Sequence, residues 1–458
     1  MKIIIAGAGQ VGFHISQQLS VEGHDIVVID SSPELVRKIG DSLDVQAIVG
    51  HASHPDSLDR AGAADIDMLM AVTQSDEVNM VTCQVAHSMF NVPLKIARIR
   101  DQSYLQPIWA DLFSRHHMPI DVIISPEIEV ARAITRRMQV PGAFDTISLV
   151  NGKVRMLGVT CNDDCPVINT PLRQLTELFP DLEIVVVGVV REGQGFVPKK
   201  EDQLLSGDQA YFVVNTHHVD RAMKVFGHEE GEVRRVIIAG GGHIGAFLGQ
   251  MIETDFNSVK ARIIESDTAR AHEVADFLEQ TVVIHGDVID PEILEEASVS
   301  ESEAIIAVTN DDETNILAAL LAKRIGTKRA IALVNNETYR PLISSLGIDV
   351  VVSPREITAS TILQHVRRGS IQAVHSLGAD FGELIEGEIL ETSYLAGKKI
   401  RDAELPEGVL LGAVVRQEDI ILPRGDTVIQ VNDKIVLFAS IDEVKAVEKL
   451  FAVSLEFF

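Results

Sequence analysis

The segment VIIAGGGHIG at residues 236–245 repeats IIIAGAGQVG at residues 3–12. Four further blocks return in the same order. IVVIDSS (26–32) becomes ARIIESD (261–267), and VGHASHPDSL (49–58) becomes HGDVIDPEIL (285–294). AVTQSDEVN (71–79) becomes AVTNDDETN (307–315), and DVIISPE (121–127) becomes DVVVSPRE (349–356). Offsets of 228 to 236 residues exceed the period of any solenoid, so the chain is a domain duplication. A weaker echo joins residues 188–214 to residues 412–438, where short apolar runs broken by Gly, Pro and Asp read as hairpins. PLRQLTELF and GKKIRDAEL precede these blocks, and each reads as one helix.

The expected architecture is α/β, with two Rossmann-like units at 1–125 and 232–355. Each is followed by a linking helix (126–142 and 356–373) and a small α+β unit (143–228 and 374–455). Ser125 suits the cap of the first linking helix, Pro126 its first position, and Glu127 and Glu129 its positive end; Ser353, Pro354 and Glu356 repeat the pattern. Arg132, Arg136 and Arg137, with Arg367 and Arg368 in the second copy, form either a solvated basic face or part of a crossover helix that pairs subunits.

Composition narrows the function classes. The formal charge is −27, from 40 basic and 67 acidic residues, a field that repels nucleic acid and anionic lipid. One Trp and four Tyr leave little aromatic surface for stacking bases. Cys83, Cys161 and Cys165 suit a reducing compartment, and the Cys161–Cys165 spacing has no second Cys pair, so free thiols are expected rather than a metal. No apolar run approaches membrane-span length, and the N-terminus reads as a strand without a cleavage region, which implies a cytoplasmic protein.

The turn after KIIIA carries the chemistry. In a strand–turn–helix context, Gly7 permits the tight turn, Gly9 admits phosphate oxygens, and Gly12 lets the helix lie close to the sheet. The helix starting near residue 11 offers free amides to a pyrophosphate. Asp30 ends the second strand, where a carboxylate accepts from ribose hydroxyls and repels the extra phosphate of NADP. NAD(H) fits, and so do ATP and ADP. Downstream, Thr73 and Gln74 end a strand and Ser75 and Asp76 begin a helix; Arg98 and Arg100 end the next strand, either of them within reach of a phosphate. The second copy keeps an acid at Glu265 but replaces Arg98 by Leu333 and Arg100 by Asn335, so its turn is expected to bind a nucleotide more weakly or to bind a different one.

A dehydrogenase needs a hydride partner beside the cofactor. His51 and His54 have Asp287 and Asp290 as counterparts, and His116, His117, His217 and His218 fall in loops or after strands. No domain remains for catalysis once the repeats are assigned. An NAD-dependent oxidoreductase with an unrecognised substrate and a ligand-free scaffold stay as alternatives.

These paired motifs, with a small β-rich unit after each, resemble the tandem RCK/KTN family of regulatory subunits of Trk-type potassium uptake systems. The resemblance spans residue 1 to about 453. It implies a non-enzymatic, peripheral protein on the cytoplasmic face of the inner membrane. Its partner would be an integral-membrane potassium-translocating subunit, with four chains forming an eight-unit gating ring. It places nucleotide contacts on Gly7, Ala8, Gly9, Gln10, Val11, Gly12, Asp30, Thr73, Gln74 and Arg98. In the second copy they fall on Gly240, Gly241, Gly242, His243, Ile244 and Glu265. No catalytic residue and no metal ligand is implied.

Overall fold

The computed structural model describes residues 1–451 apart from 180, 232, 340, 341, 344, 345, 364, 367–370 and 378–380. Arg367 and Arg368 lie outside the described residues. The first copy folds around six parallel strands: β1 (Lys2–Ala6), β2 (Asp25–Asp30), β3 (Gln46–Val49), β4 (Met68–Ala71), β5 (Leu94–Arg98) and β6 (Val122–Ile124). Their order is β3-β2-β1-β4-β5-β6, with the chain reversing direction of travel at β1. Ile3, Ile4 and Ile5 are all buried because helices cover both faces of a parallel sheet. Ile3, Ile5, Val28 and Met70 serve one face; Ile4, Ala6, Leu69 and Ala71 serve the other. The second copy repeats this order with Val282–His285, Lys260–Glu265, Arg235–Ala239, Ala304–Ala307, Arg329–Leu333 and Val350–Val352.

Each small unit is a five-stranded antiparallel sheet. The first has the order Gln194–Phe196, Ile184–Arg191, Gln209–Asn215, Val154–Thr160, Ala143–Leu149. The second matches it in reverse listing, from Ile371–Leu377 to Asp419–Ile421. PLRQLTELF forms the expected helix, Leu172–Leu178. GKKIRDAEL does not: it makes only a three-residue turn, Ile400–Asp402. There the amides of Ile400 and Arg401 donate to the carbonyls of Thr427 and Gly425, which holds the segment against a loop.

The linking helices decide how the copies assemble. Helix Pro126–Gln139 leaves the first copy and buries Val130, Ala131, Ile134 and Met138 against Val236, Ile238, Leu248 and Ile252 of the second. Helix Pro354–Leu363 returns the exchange, placing Ala359, Ile362 and Leu363 against Ile15, Leu19 and Val28 of the first. The crossover therefore pairs the two halves of one chain. Arg137, expected either on a solvated basic face or on a crossover helix, lies on the crossover helix, where it donates to the carbonyls of Phe144 and Ala133 and pairs with Asp145 at 2.6 Å. Arg329, at the foot of a second-copy strand, donates to the carbonyls of Arg137 (3.0 Å) and Ala143, satisfying acceptors at the end of the crossover helix. Burial pushes its pKa down to about 10.

The two small sheets also meet face to face, packing Met156, Val187, Tyr211 and Val213 against Leu384, Ala413, Val436 and Phe438. Phe381 lies across Gly188 and Gly195, where a Cβ would come within 2.6 and 2.2 Å of its ring.

Because Ile134 is fully buried in the other copy's core, Ile134→Ala is expected to destabilise the chain by about 2–5 kcal/mol in denaturant unfolding. The loss should be reported by probes in both copies together. Loss confined to the first copy would contradict an exchanged core.

Candidate functional site

The turn between β1 and helix Gln10–Val21 depends on two glycines. Gly7 has φ +115°, and a Cβ there would lie 3.1 Å from the backbone of Val72 and Thr73. A methyl on Gly12 would lie 1.8 Å from the Gly7 carbonyl oxygen, so only glycine lets the helix start this close to the strand. The flank at Gly9 is open, with nothing within 4 Å of its Cβ position. Gly9 caps the helix, and no side chain accepts from its first amides. Phe13 is the first to bond back, to the Gly9 carbonyl at 2.8 Å. The amides of Gln10, Val11 and Gly12 therefore form an uncapped, electropositive cradle suited to phosphate oxygens. The second copy reproduces it. Gly240 has φ +103°, a Gly245 methyl would lie 1.9 Å from the Gly240 oxygen, and Gly242 is open. Helix His243–Asp255 starts there without a side-chain cap.

The acids at the second strand ends brace these turns. Asp30 accepts from the Ala8 amide at 2.7 Å and from the Ser32 amide at 2.8 Å. Glu265 accepts from Gly241 at 2.6 Å and Asp267 at 2.9 Å. Both Asp30 oxygens and Glu265 Oε2 keep a lone pair, so both acids retain the capacity to accept from a ribose hydroxyl.

Strand β4 ends at Ala71, slightly before the expected Thr73, and the reason is a buried residue that the sequence did not single out. Asn79 is fully buried, and its Oδ1 accepts from the Thr73 amide (2.9 Å) and hydroxyl (2.7 Å). Its Nδ2 donates to the carbonyls of Thr73 (3.2 Å) and Arg98 (2.9 Å), tying together the ends of β4 and β5. Asn315 makes the same four bonds to Thr309 and Leu333. The signal was available, since both repeated AVT blocks end in Asn six residues after Thr. Asp76 adds a second tie, accepting from the Arg100 and Asp101 amides at 2.9 and 2.8 Å. Gln74 lies exposed beside Thr73.

The two arginines separate in role. Arg100 donates from Nε to Glu127 at 2.9 Å, and Glu127 is 7% exposed. The Arg98 Nε is buried with no hydrogen-bond partner among the described residues. Burial, and secondarily the charge on Arg100, hold the Arg98 pKa below its ordinary value. Arg98 ends β5, separated from β1 by β4 alone, and a cation kept this way is suited to an anionic ligand, which would supply the missing acceptor.

In the second copy Leu333 is buried and Asn335 donates to Asp312 at 3.1 Å. Its turn borders a cleft of about 270 Å³, lined by His243, Phe247, Arg270 and Phe277 together with Gln102 from the first copy. Arg270 donates from Nε to the Gly241 carbonyl at 2.8 Å. Its place in the first copy is taken by Leu35, so the repeat gave no sign of it.

The remaining candidates lie elsewhere. His51 and His54 are exposed and stack on each other, 4.6 Å between centroids. His117 bonds Ser114, and His218 bonds the Leu182 carbonyl. Cys161 and Cys165 lie in the loop after Val154–Thr160, are free thiols, and are buried against the core of the first small sheet. Among the described residues no group of three or more His, Cys, Asp or Glu could hold a metal. No described helix is long and apolar enough to cross a membrane.

Known proteins match this chain along its length. The TrkA-N domain matches residues 3–126 and 236–354, and the TrkA-C domain matches residues 156–227 and 384–452. The Trk system potassium uptake protein TrkA of Azorhizobium caulinodans is 51% identical over 458 residues, covering all of both chains. Proteins of the same name from Halomonas elongata (37% over 463 residues, all of both chains) and Vibrio alginolyticus (38%, 96% of this chain and 95% of that one) are similar. Among solved structures, the GsuK RCK domain covers 98% of this chain and 94% of its own at 18% identity, with a TM-score of 0.61. The GsuK channel covers 98% of this chain and 78% of its own at 18% identity, with a TM-score of 0.62. The duplicated RCK-type fold, the paired glycine turns and the full-length relatives agree: the chain belongs to the TrkA family of Trk system potassium uptake proteins.

Proposed function

We propose that this protein is the nucleotide-sensing regulatory subunit of a potassium uptake system. It docks on the cytoplasmic face of the inner membrane through a potassium-translocating partner and gates that partner. The observation that carries this reading is Arg98, whose buried Nε has no partner among the described residues, at the end of a strand in the same sheet as the uncapped glycine turn. The first cleft takes NAD(H), or ATP or ADP. The pyrophosphate lies on the amides after Gly9, a ribose diol on Asp30, and a phosphate on Arg98. In support of the ligand class, one solved neighbour is a GsuK channel bound to NAD and another is GsuK bound to ADP.

The signal has a short physical route. Asn79 ties the Arg98 carbonyl to Thr73, and Asp76 ties the next residues, 100 and 101. Gln102 follows at once and lines the cleft of the second copy. A ligand that draws Arg98 toward phosphate moves this strand end against the second copy. It shifts the population of two assembly states only as far as its affinities for them differ.

A ring of four chains is the proposed assembly. Helix Asp76–Phe90 exposes Val81 (44%) and Met89 (64%), and helix Asp312–Ile325 exposes Leu317 (49%) and Ile325 (41%) at the matching positions. Ile108 and Trp109 add 73% and 54% exposure nearby in the first copy's chain. Repeated apolar exposure of this kind marks a protein interface.

Four outcomes are expected. Arg98→Leu, which copies Leu333, should weaken nucleotide binding by titration about tenfold or more. It should leave the unfolding midpoint of the ligand-free chain unchanged or raised, because a desolvated charge is removed. Met89→Glu with Ile325→Glu should lower the light-scattering mass toward that of a smaller assembly while preserving the circular dichroism spectrum. Deleting the gene should abolish potassium uptake while its membrane partner remains in place; normal uptake would refute the regulatory role.

A further inference from the structure

The two small units differ in the loop that follows Val154–Thr160 in the first and Gly382–Glu388 in the second. Backbone bonds set the correspondence. The Cys161 amide donates to the Asp208 carbonyl (2.7 Å), and the Cys161 carbonyl accepts from the Gly207 amide (2.7 Å). Ile389 makes the same two bonds, with Asp433 (2.9 Å) and Asn432 (2.7 Å). Four residues on, the Cys165 amide donates to the Asn162 carbonyl and the Ser393 amide to the Leu390 carbonyl, both at 3.0 Å. Where the first copy has Cys161 and Cys165, the second therefore has Ile389 and Ser393 in the same backbone frame. The loop folds without sulfur, so its shape does not account for the thiol pair.

The two thiols touch, the Cys161 S–H donating to the Cys165 sulfur. That bond, aided by the Val167 amide, the charge of His228 and the Ile168 amide, holds the Cys165 thiol down to about 6 against the desolvation of burial. The same bond, with burial, pushes the Cys161 thiol up. His228 is itself buried, with Nδ1 facing Glu230 Oε1 at 3.0 Å and Nε2 facing the Thr160 carbonyl at 3.1 Å. Two acceptors call for two N–H donors, which only the imidazolium provides, so a cation stands by the pair and favours a thiolate. Cys83 is the contrast within the same chain, since burial pushes its thiol up to about 12.

Access selects the reagent. Cys161 is 0% and Cys165 3% exposed, while Asn162, Asp163, Asp164 and Pro166 around them are exposed. The pair lies one layer beneath the surface, within reach of an oxidant little larger than water and closed to a bulky disulfide. We propose that Cys161 and Cys165 are a modification site for small hydroperoxides, with Cys165 attacking the peroxide and Cys161 closing a reversible disulfide. The Cys165 thiolate attacks one peroxide oxygen; an S–O bond forms, the O–O bond breaks, and the departing hydroxide takes a proton to become water. The Cys161 sulfur then attacks Cys165, and the displaced hydroxyl leaves as water with the Cys161 proton. Two electrons pass from the thiols to the peroxide. The sulfurs close from hydrogen-bond contact to a covalent spacing of about 2.05 Å. The site is separate from both glycine turns and does not rest on their reading as nucleotide sites.

The test treats the full-length chain with hydrogen peroxide and reads intact mass, free thiols and mapped peptides. The mass should fall by that of two hydrogens, with a linked Cys161–Cys165 peptide, Cys83 still free, and full reversal by dithiothreitol. The pair should oxidise at least about tenfold faster than Cys83. Cys161→Ile, which copies Ile389, should form no disulfide and should leave a sulfenic acid on Cys165 that dimedone captures. Cys165→Ser, which copies Ser393, should slow oxidation of Cys161 at least about tenfold. The wild-type reading decides the matter even where a variant does not fold. Three free thiols surviving a peroxide dose that oxidises free cysteine overturn the inference. So do Cys83 reacting as fast as the pair, and disulfides between chains in place of the linked peptide. In variants whose circular dichroism matches the wild type, a missing dimedone adduct or undiminished oxidation of Cys161 also overturns it. None of these failures touches the reading of the chain as a nucleotide sensor.

Discussion

Everything in this molecule rests on the exchange of the two crossover helices. Each parallel sheet has two apolar faces, and one face of each is closed by a helix that belongs to the other half of the chain. Ile134 and Ile362 are therefore as necessary to the partner copy as that copy's own isoleucines. Hydrophobic burial has no direction, and it accepts the closure from whichever helix arrives in register. Contiguity in sequence delivers the helix to the neighbouring copy at no translational cost. Arg329 completes the exchange by bonding the carbonyls at the end of the first crossover helix.

The exchange also joins the strand ends of the two copies to the helices that hold them together. The carboxylates and amides of each cleft sit at strand ends, and the strand ends are tied by buried Asn79 and Asn315. These asparagines have every polar atom of the side chain engaged, so the strand ends behave as one unit. The crossover helices begin at the same edge, directly after β6 and after Val350–Val352. The strand ends are thus continuous with the elements that join the two halves. The small sheets pack face to face, with Phe381 lying against Gly188 and Gly195.

Much of the fold was legible in the sequence because local physics controls it. A run such as KIIIA followed by glycines has few alternatives, and five ordered repeats fix the architecture of one copy from the other. The glycine turns, Asp30 and Glu265 stand where their spacing places them, bracing backbone amides. The misses share a different character. GKKIRDAEL has helix-forming residues, yet its amides found carbonyl partners in a distant loop. Asn79 was visible as a repeated letter, but its four bonds join segments that only folding brings together. Arg98 and Arg100 look alike along the chain, and they diverge because Glu127, on another element, pairs with one of them.

The sequence by itself determined the duplication, the parallel sheets and the two glycine turns, since glycine spacing and apolar periodicity act over a few residues. The tertiary structure alone decided which copy each crossover helix closes, which arginine is left without a partner, and that Gln102 of one half meets His243 of the other. Those outcomes depend on distances between residues far apart in the chain, and no local pattern encodes them.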